Sequence, residues 1–163
     1  GLGKETIIML AVLTNRTIRR NANFNPRNSQ WERVTALFDA QSWIRESFRK
    51  LTDLSKLPEN WDGYGSRPIQ SPAIRQAASL VEQLSQFSIP APQIFPVPGG
   101  GLQFEWKNAK CGMELEILPD GTMEFLIEDA EEQMREGVIS PSYENLSRLI
   151  LWFNCQRASV VEL

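Results

Sequence analysis

The side chains of this sequence best suited to chemistry are carboxylates, because its 163 residues include no histidine. Histidine is the commonest general base and the commonest transition-metal ligand, so its absence excludes Ser-His-Asp and Cys-His nucleophile systems and histidine-containing zinc sites. What remains is a set of acids at regular spacing, Glu105, Glu114, Glu116 and Glu124, together with Asp62 in a loop rich in aromatic residues. Carboxylates alone can hold magnesium or calcium through oxygen. They can equally attract a basic protein partner, or be balanced by counterions or by the chain's own arginines. Cys111 has no histidine to activate it, and two widely separated cysteines read as small hydrophobes in a reducing, cytoplasmic compartment.

Charge adds a second pattern. Residues 1–58 carry ten Lys or Arg against five acids, and residues 59–163 carry seven against fifteen, so the two parts read +5 and −8. Arg16, Arg19, Arg20 and Arg27, with Arg45, Arg49 and Lys50, have the chemistry to track a phosphate backbone. A net charge of −3 and a pI near 5.1 are far from the strongly basic balance of nucleic-acid binders. The asymmetry fits two mutually attracting faces of one domain better. Gly99-Gly100-Gly101 lacks both the phosphate-loop and the dinucleotide-fold context, so it reads as a strand connection and no cofactor is implied.

The elements that must position these groups follow from periodicity. Ile7 to Leu13 is too short to span a bilayer, which takes about 20 residues, and it has poor signal-peptide flanks, so it reads as a strand. A polar, arginine-bearing arm from Thr14 leads to Ser29, which forms a capping box with Glu32. Trp31, Val34, Leu37, Phe38, Trp43, Ile44, Phe48, Leu51 and Leu54 then mark the apolar side of a helix running to about Lys56. Ser71 followed by Pro72 predicts the cap of a second helix, with Ile74, Ala77, Ala78, Val81 and Leu84 buried. Proline spacing leaves Gln93 to Val97 as an edge strand.

Three strands alternate apolar and polar residues over 102–106, 113–117 and 123–128. Only a loop of Pro119-Asp120-Gly121, with Leu118 facing Thr122, keeps the apolar faces in phase. It pairs Ile117 with Met123, Leu115 with Phe125 and Glu116 with Glu124, and puts Gly121 in the left-handed region. Residues 128–132 form a solvated acidic connection, Val138-Ile139 a short strand, and Ser140-Pro141 the cap of a last helix buried through Leu146, Leu149, Ile150 and Phe153. The fold class is α+β, one domain over residues 1–163. It has two N-terminal helices, an antiparallel meander of three to five strands, and a C-terminal helix packed on one sheet face.

Between the first two helices stands Asn60-Trp61-Asp62-Gly63-Tyr64-Gly65. In one reading Trp61 and Tyr64 pin the loop to the core while Asp62 caps local N–H groups; in the other the loop is a recognition surface or pocket wall. The order Leu57-Pro58-x-Asn60-Trp61-Asp62-Gly63-Tyr64-Gly65, Pro68, a short helix, a proline-rich segment, Gly99-Gly100-Gly101, Leu102-Gln103-Phe104-Glu105-Trp106 and a Leu115-Glu116-Ile117 strand resembles a group of small uncharacterised bacterial proteins. The resemblance covers about residues 57–128 and brings no established activity, so no catalytic residue is carried over.

The function expected from these features is a non-enzymatic protein-binding or adaptor module that meets a protein partner or itself. Its surface would be the acidic sheet face, the aromatic loop or an edge strand. Trp61, Asp62, Tyr64, Glu105, Glu114, Glu116 and Glu124 are the candidate binding residues, with no metal site assigned. A small hydrolase using carboxylates and a divalent cation is the alternative, and nucleic-acid binding through the basic N-terminal region a third.

Overall fold

A computed structural model describes the backbone of residues 29–158 and the side chains of residues 42–156. The expected strand at 7–13, the arginine arm, the Ser29–Glu32 capping box and the apolar positions 31–38 lie outside the described side chains. The chain divides into two compact units, residues 1–38 and 39–163, and the sheet belongs to the second.

Among the described residues eight elements follow one another: α1 (Ser29–Leu54), α2 (Ser71–Leu84), β1 (Gln93–Val97), β2 (Gly101–Lys107), β3 (Gly112–Ile117), β4 (Met123–Glu128), β5 (Met134–Ile139) and α3 (Tyr143–Ala158). The five strands form one antiparallel sheet in sequence order, a pure meander. Its central register is the one the alternation demands: Leu115 faces Phe125, Glu116 faces Glu124 and Ile117 faces Met123. The turn that sets it is closed by the Leu118 N–H donating to the Thr122 carbonyl at 2.8 Å, with Gly121 at φ 92. A direct Asp-Gly two-residue turn would shift pairing by one and turn every side chain over.

One face of the sheet is dry. Leu102, Phe104, Trp106, Met113, Leu115, Ile117, Met123 and Ile127 are buried together with Ala73, Ala77, Leu80, Val81 and Leu84 of α2, Leu146, Ile150 and Phe153 of α3, and Trp43, Leu51 and Leu54 of α1. The alanines of α2 let its backbone approach β2 and β3 closely, so the strands' large residues fill the layer. Burying a Leu, Ile or Phe side chain contributes about 1.5–3 kcal/mol, which makes this layer the main source of stability. Among the described residues no helix is long and apolar enough to cross a membrane.

Three local expectations are corrected. The cap of α2 is Gln70, one residue before Ser71. Its N–H is held by the Gly100 carbonyl at 2.9 Å and its side-chain amide by the Pro68 carbonyl, which fixes it in an extended conformation while its own carbonyl accepts from Ile74. The cap of α3 is Ser142, whose hydroxyl accepts the Asn145 N–H at 3.2 Å. Ser140-Pro141 is the connection instead, because β5 runs from Met134 through Ile139 and is six residues long. Glu128 belongs to β4, and the connection is a tight turn in which Asp129 Oδ1 accepts the N–H groups of Glu131 and Gln133.

The glycine run joins β1 to β2, as a strand connection should, and its members are not equivalent. Gly99 and Gly100 have φ of 104 and 99, but a Cβ on Gly100 would stand 2.7 Å from the Pro68 carbonyl oxygen, whereas one on Gly99 would meet nothing within 4 Å. Gly99→Ala should therefore cost about 1 kcal/mol from backbone strain alone. Gly100→Ala should cost roughly 2 kcal/mol more by adding the clash, as measured by urea unfolding of the two variants.

Candidate functional site

The second face of the sheet is covered by no helix among the described residues and gathers all the acids that the alternation assigned to it. Reading across the strands, one row runs Phe95, Gln103, Glu116, Glu124, Val138. The next runs Gln93, Glu105, Glu114, Leu126, Glu136, and a third holds Lys107, Gly112, Glu128 and Met134. Glu105 stands directly opposite Glu114, and Glu116 directly opposite Glu124. Six carboxylates thus share one surface, with Phe95 near one edge and Met134 and Val138 along the other. A depression of about 300 Å³ is lined by Glu114, Glu116, Glu124, Leu126, Glu136 and Val138.

Like charges across a ladder each cost a few tenths of a kcal/mol, and the sheet offsets part of this internally. The Gln103 side-chain amide donates to Glu105 at 2.8 Å and to Glu114 at 2.9 Å, bridging the opposed pair. Glu114 still titrates above the ordinary glutamate range, first because it is partly buried and then because Glu105 lies beside it; Lys107 opposes the shift. The ion pairs shown among the described residues are Arg49–Glu46, Lys56–Asp53 and Arg148–Glu144, all on or at the end of helices and all exposed. They involve none of the face carboxylates. Among the described residues no three His, Cys, Asp or Glu side chains come together as a metal-holding group.

The Asn60–Gly65 loop is separately built and closes on itself. Asn60 takes a left-handed φ of 59, its N–H donates to the Ser66 carbonyl at 2.8 Å, and its side-chain oxygen accepts the Gly65 N–H at 2.7 Å. Asp62 accepts the N–H groups of Tyr64 and Ser66 and the Ser66 hydroxyl, so its carboxyl is held below the usual range, the hydroxyl contributing most and the Tyr64 N–H next. Trp61 is half-buried and its indole N–H donates to the Arg67 carbonyl at 3.1 Å. Tyr64 is 93% exposed. The reading in which both aromatics pin the loop to the core is thereby corrected: the tyrosine stands exposed between two glycines, and Trp61 ties the loop to its own Arg67 carbonyl.

No known protein family, curated protein or solved structure matches this chain. The sheet brings Glu105, Glu114, Glu116 and Glu124 together; Trp61, Asp62 and Tyr64 form their own cluster in the loop. Gln103, Glu128, Glu136 and the apolar Phe95, Met134 and Val138 also belong to the open face. The parity of β2 and β4 already placed Gln103 and Glu128 there, but Met134 and Glu136 depended on a strand longer than Val138-Ile139. Cys111 is buried beneath the Asn108 amide, as expected of a small hydrophobe, while Cys155 is exposed.

Two outcomes test this description. Tyr64→Ala should leave thermal stability within about 0.5 kcal/mol of the parent, whereas Asp62→Ala, which strips the Tyr64 and Ser66 N–H groups and the Ser66 hydroxyl of their acceptor, should lower the melting temperature. Because the folded-state pKa of Asp62 is depressed, its contribution is present above the unfolded aspartate value and is lost as pH falls through the folded one. Glu114 behaves in the opposite sense. Its raised folded pKa means that stability is lost as pH rises through it, so Glu114→Gln should melt higher than the parent at neutral pH, by a few tenths of a kcal/mol. That difference should vanish below the unfolded glutamate value, where both are neutral, in melting curves taken across the acid range.

Proposed function

We propose that this chain is a non-enzymatic binding module whose open sheet face takes a lysine- or arginine-rich segment of a partner protein, with the Asn60–Gly65 loop as a second contact. The observation that supports the reading is a face that no described residue covers, on which six carboxylates stand in facing rows and none shares in the ion pairs shown among the described residues. Opposed like charges are a standing cost to the folded chain. A basic segment laid across them removes that cost and is steered to the surface by the same field.

The neighbouring side chains suit a protein partner better than a bare counterion. Phe95, Met134 and Val138 are 41%, 63% and 72% exposed beside the acids, so a segment mixing cationic and aliphatic residues buries hydrocarbon as well as charge. Tyr64 adds an aromatic anchor of low side-chain entropy on a loop whose backbone is already fixed by its own hydrogen bonds. Asp62 is engaged within the loop and holds its shape. We place the module in the cytoplasm on cysteine usage in the sequence, and we take residues 57–128 to be shared with the small bacterial proteins whose loop motif they resemble.

A labelled peptide of alternating lysine and leucine is the direct probe, followed by fluorescence anisotropy. It should bind the 163-residue chain more weakly as salt rises. The double variant Glu116→Lys, Glu124→Lys should weaken it by about tenfold or more while retaining the parent's circular dichroism. Binding that survives the charge reversal, or no binding at all, removes the proposal.

A further inference from the structure

The two edges of the sheet differ in what their backbones offer. In an antiparallel ladder, hydrogen-bonded pairs alternate with unbonded ones, so one bond in each hairpin fixes the phase of its ladder. The Asp129 N–H donates to the Gln133 carbonyl at 3.2 Å. Counting from there, Arg135, Gly137 and Ile139 exchange bonds with Ile127, Phe125 and Met123, and the backbone N–H and C=O groups of Met134, Glu136 and Val138 point away from the sheet. The hairpin of β3 and β4 agrees: the Leu118 N–H to Thr122 carbonyl bond assigns Glu124, Leu126 and Glu128 to β3, leaving Met123, Phe125 and Ile127 for β5.

The same count on the other side starts from the Asn108 N–H, which donates to the Cys111 carbonyl at 3.0 Å. It commits Leu102, Phe104 and Trp106 to β3, hence Gly101, Gln103 and Glu105 to β1, and turns only Ile94 and Pro96 of β1 outward. Proline has no N–H, so this edge offers a single outward donor from its strand, the usual protection of an edge. β5 contains no proline and offers three. Its outward-pointing residues are all exposed, and two of them, Met134 and Val138, are among the most exposed apolar side chains described.

We infer that β5 is the interface through which two copies of this chain associate, pairing edge to edge across a two-fold axis at Glu136. The strand is complementary to itself in that register and in no neighbouring one to the same extent. Met134 falls opposite Val138 of the second copy, Glu136 opposite Glu136, and Val138 opposite Met134, and these are the residues whose outward N–H and C=O groups have no partner among the described residues. All six groups of each strand are thereby bonded. Each exposed methionine is covered by an exposed valine on the open face, and Arg135 falls opposite Gly137, which has no side chain to obstruct it. A shift of two residues in either direction leaves an outward pair unbonded and separates Met134 from Val138. The result is a ten-stranded sheet in which the two acidic faces are continuous.

The single unfavourable contact is Glu136 against its own copy, a like-charge pair that salt screens. Dimerisation should therefore strengthen as salt is raised, the opposite of the response expected for a basic peptide on the acidic face, so failure of either proposal is recognised independently of the other.

The test is sedimentation velocity of the 163-residue chain over a range of concentrations, with amide hydrogen exchange on the same samples. A reversible monomer–dimer equilibrium is expected, with exchange at Met134, Glu136 and Val138 slowing as dimer accumulates. Glu136→Pro removes an outward N–H and no bond to β4, so it should abolish the dimer with circular dichroism and melting unchanged. Val138→Lys, which keeps the backbone intact and sets a charge against Met134, should abolish it too and carries the test should the proline variant unfold. A chain that stays monomeric at every concentration overturns the inference. So does a dimer whose three amides exchange as fast as in the monomer, or one that Val138→Lys leaves intact.

Discussion

The hydrogen bond from the Leu118 N–H to the Thr122 carbonyl governs more of this molecule than any other single contact. It closes a three-residue turn rather than a two-residue one, and in a sheet of period two that choice decides which side chains share a face. Because the sheet is a meander, each hairpin inherits the phase of the one before it. The dry layer under the helices and the wet layer of carboxylates are two consequences of one register. A slip of one residue would send Met123, Phe125 and Ile127 into water and Glu124, Leu126 and Glu128 into the core.

The two faces that result are energetically unlike. The covered face is held by ordinary burial: Leu, Ile, Phe and Met from the strands against a small-residue stripe on α2 and the Leu146, Ile150 and Phe153 stripe of α3. The open face is arranged against its own electrostatics, with Glu105 facing Glu114 and Glu116 facing Glu124. Gln103, whose amide donates to two carboxylates at once, is the internal compensation, and its effect is confined to one pair. Repulsion of this kind is affordable because each pair costs far less than one buried leucine contributes.

The loop between α1 and α2 separates two tasks that its sequence runs together. Asn60 and Asp62 spend their oxygens on the loop's own N–H groups, and Trp61 fixes it through the Arg67 carbonyl. Tyr64 is left with no structural duty. An aromatic ring at the tip of a rigid turn is poorly placed for stability and well placed for contact. The edges of the sheet show a similar division, with Pro96 closing β1 to further pairing while β5 keeps its outward groups.

Much of this was legible in the sequence. Alternation over 102–106, 113–117 and 123–128 determined the strands, their faces and the register of the central hairpin, since only one loop length keeps the apolar residues in phase. The proline spacing located β1, and the absence of histidine excluded whole classes of catalysis without any structure. Helix starts were legible only to within one or two residues, because Gln70 and Ser142 act as caps through bonds to Gly100, Pro68 and Asn145 that propensity does not encode. The length of β5 was not legible either: Met134-Arg135-Glu136-Gly137 has no strand pattern of its own and pairs because β4 presents a ready ladder. Nor did the motif Asn60 to Gly65 distinguish its two aromatics, which are equivalent as residue types. Their fates diverge because solvent exposure and the direction of a backbone hydrogen-bonding group are properties of the assembled sheet and turns, whereas period and composition are properties of the chain.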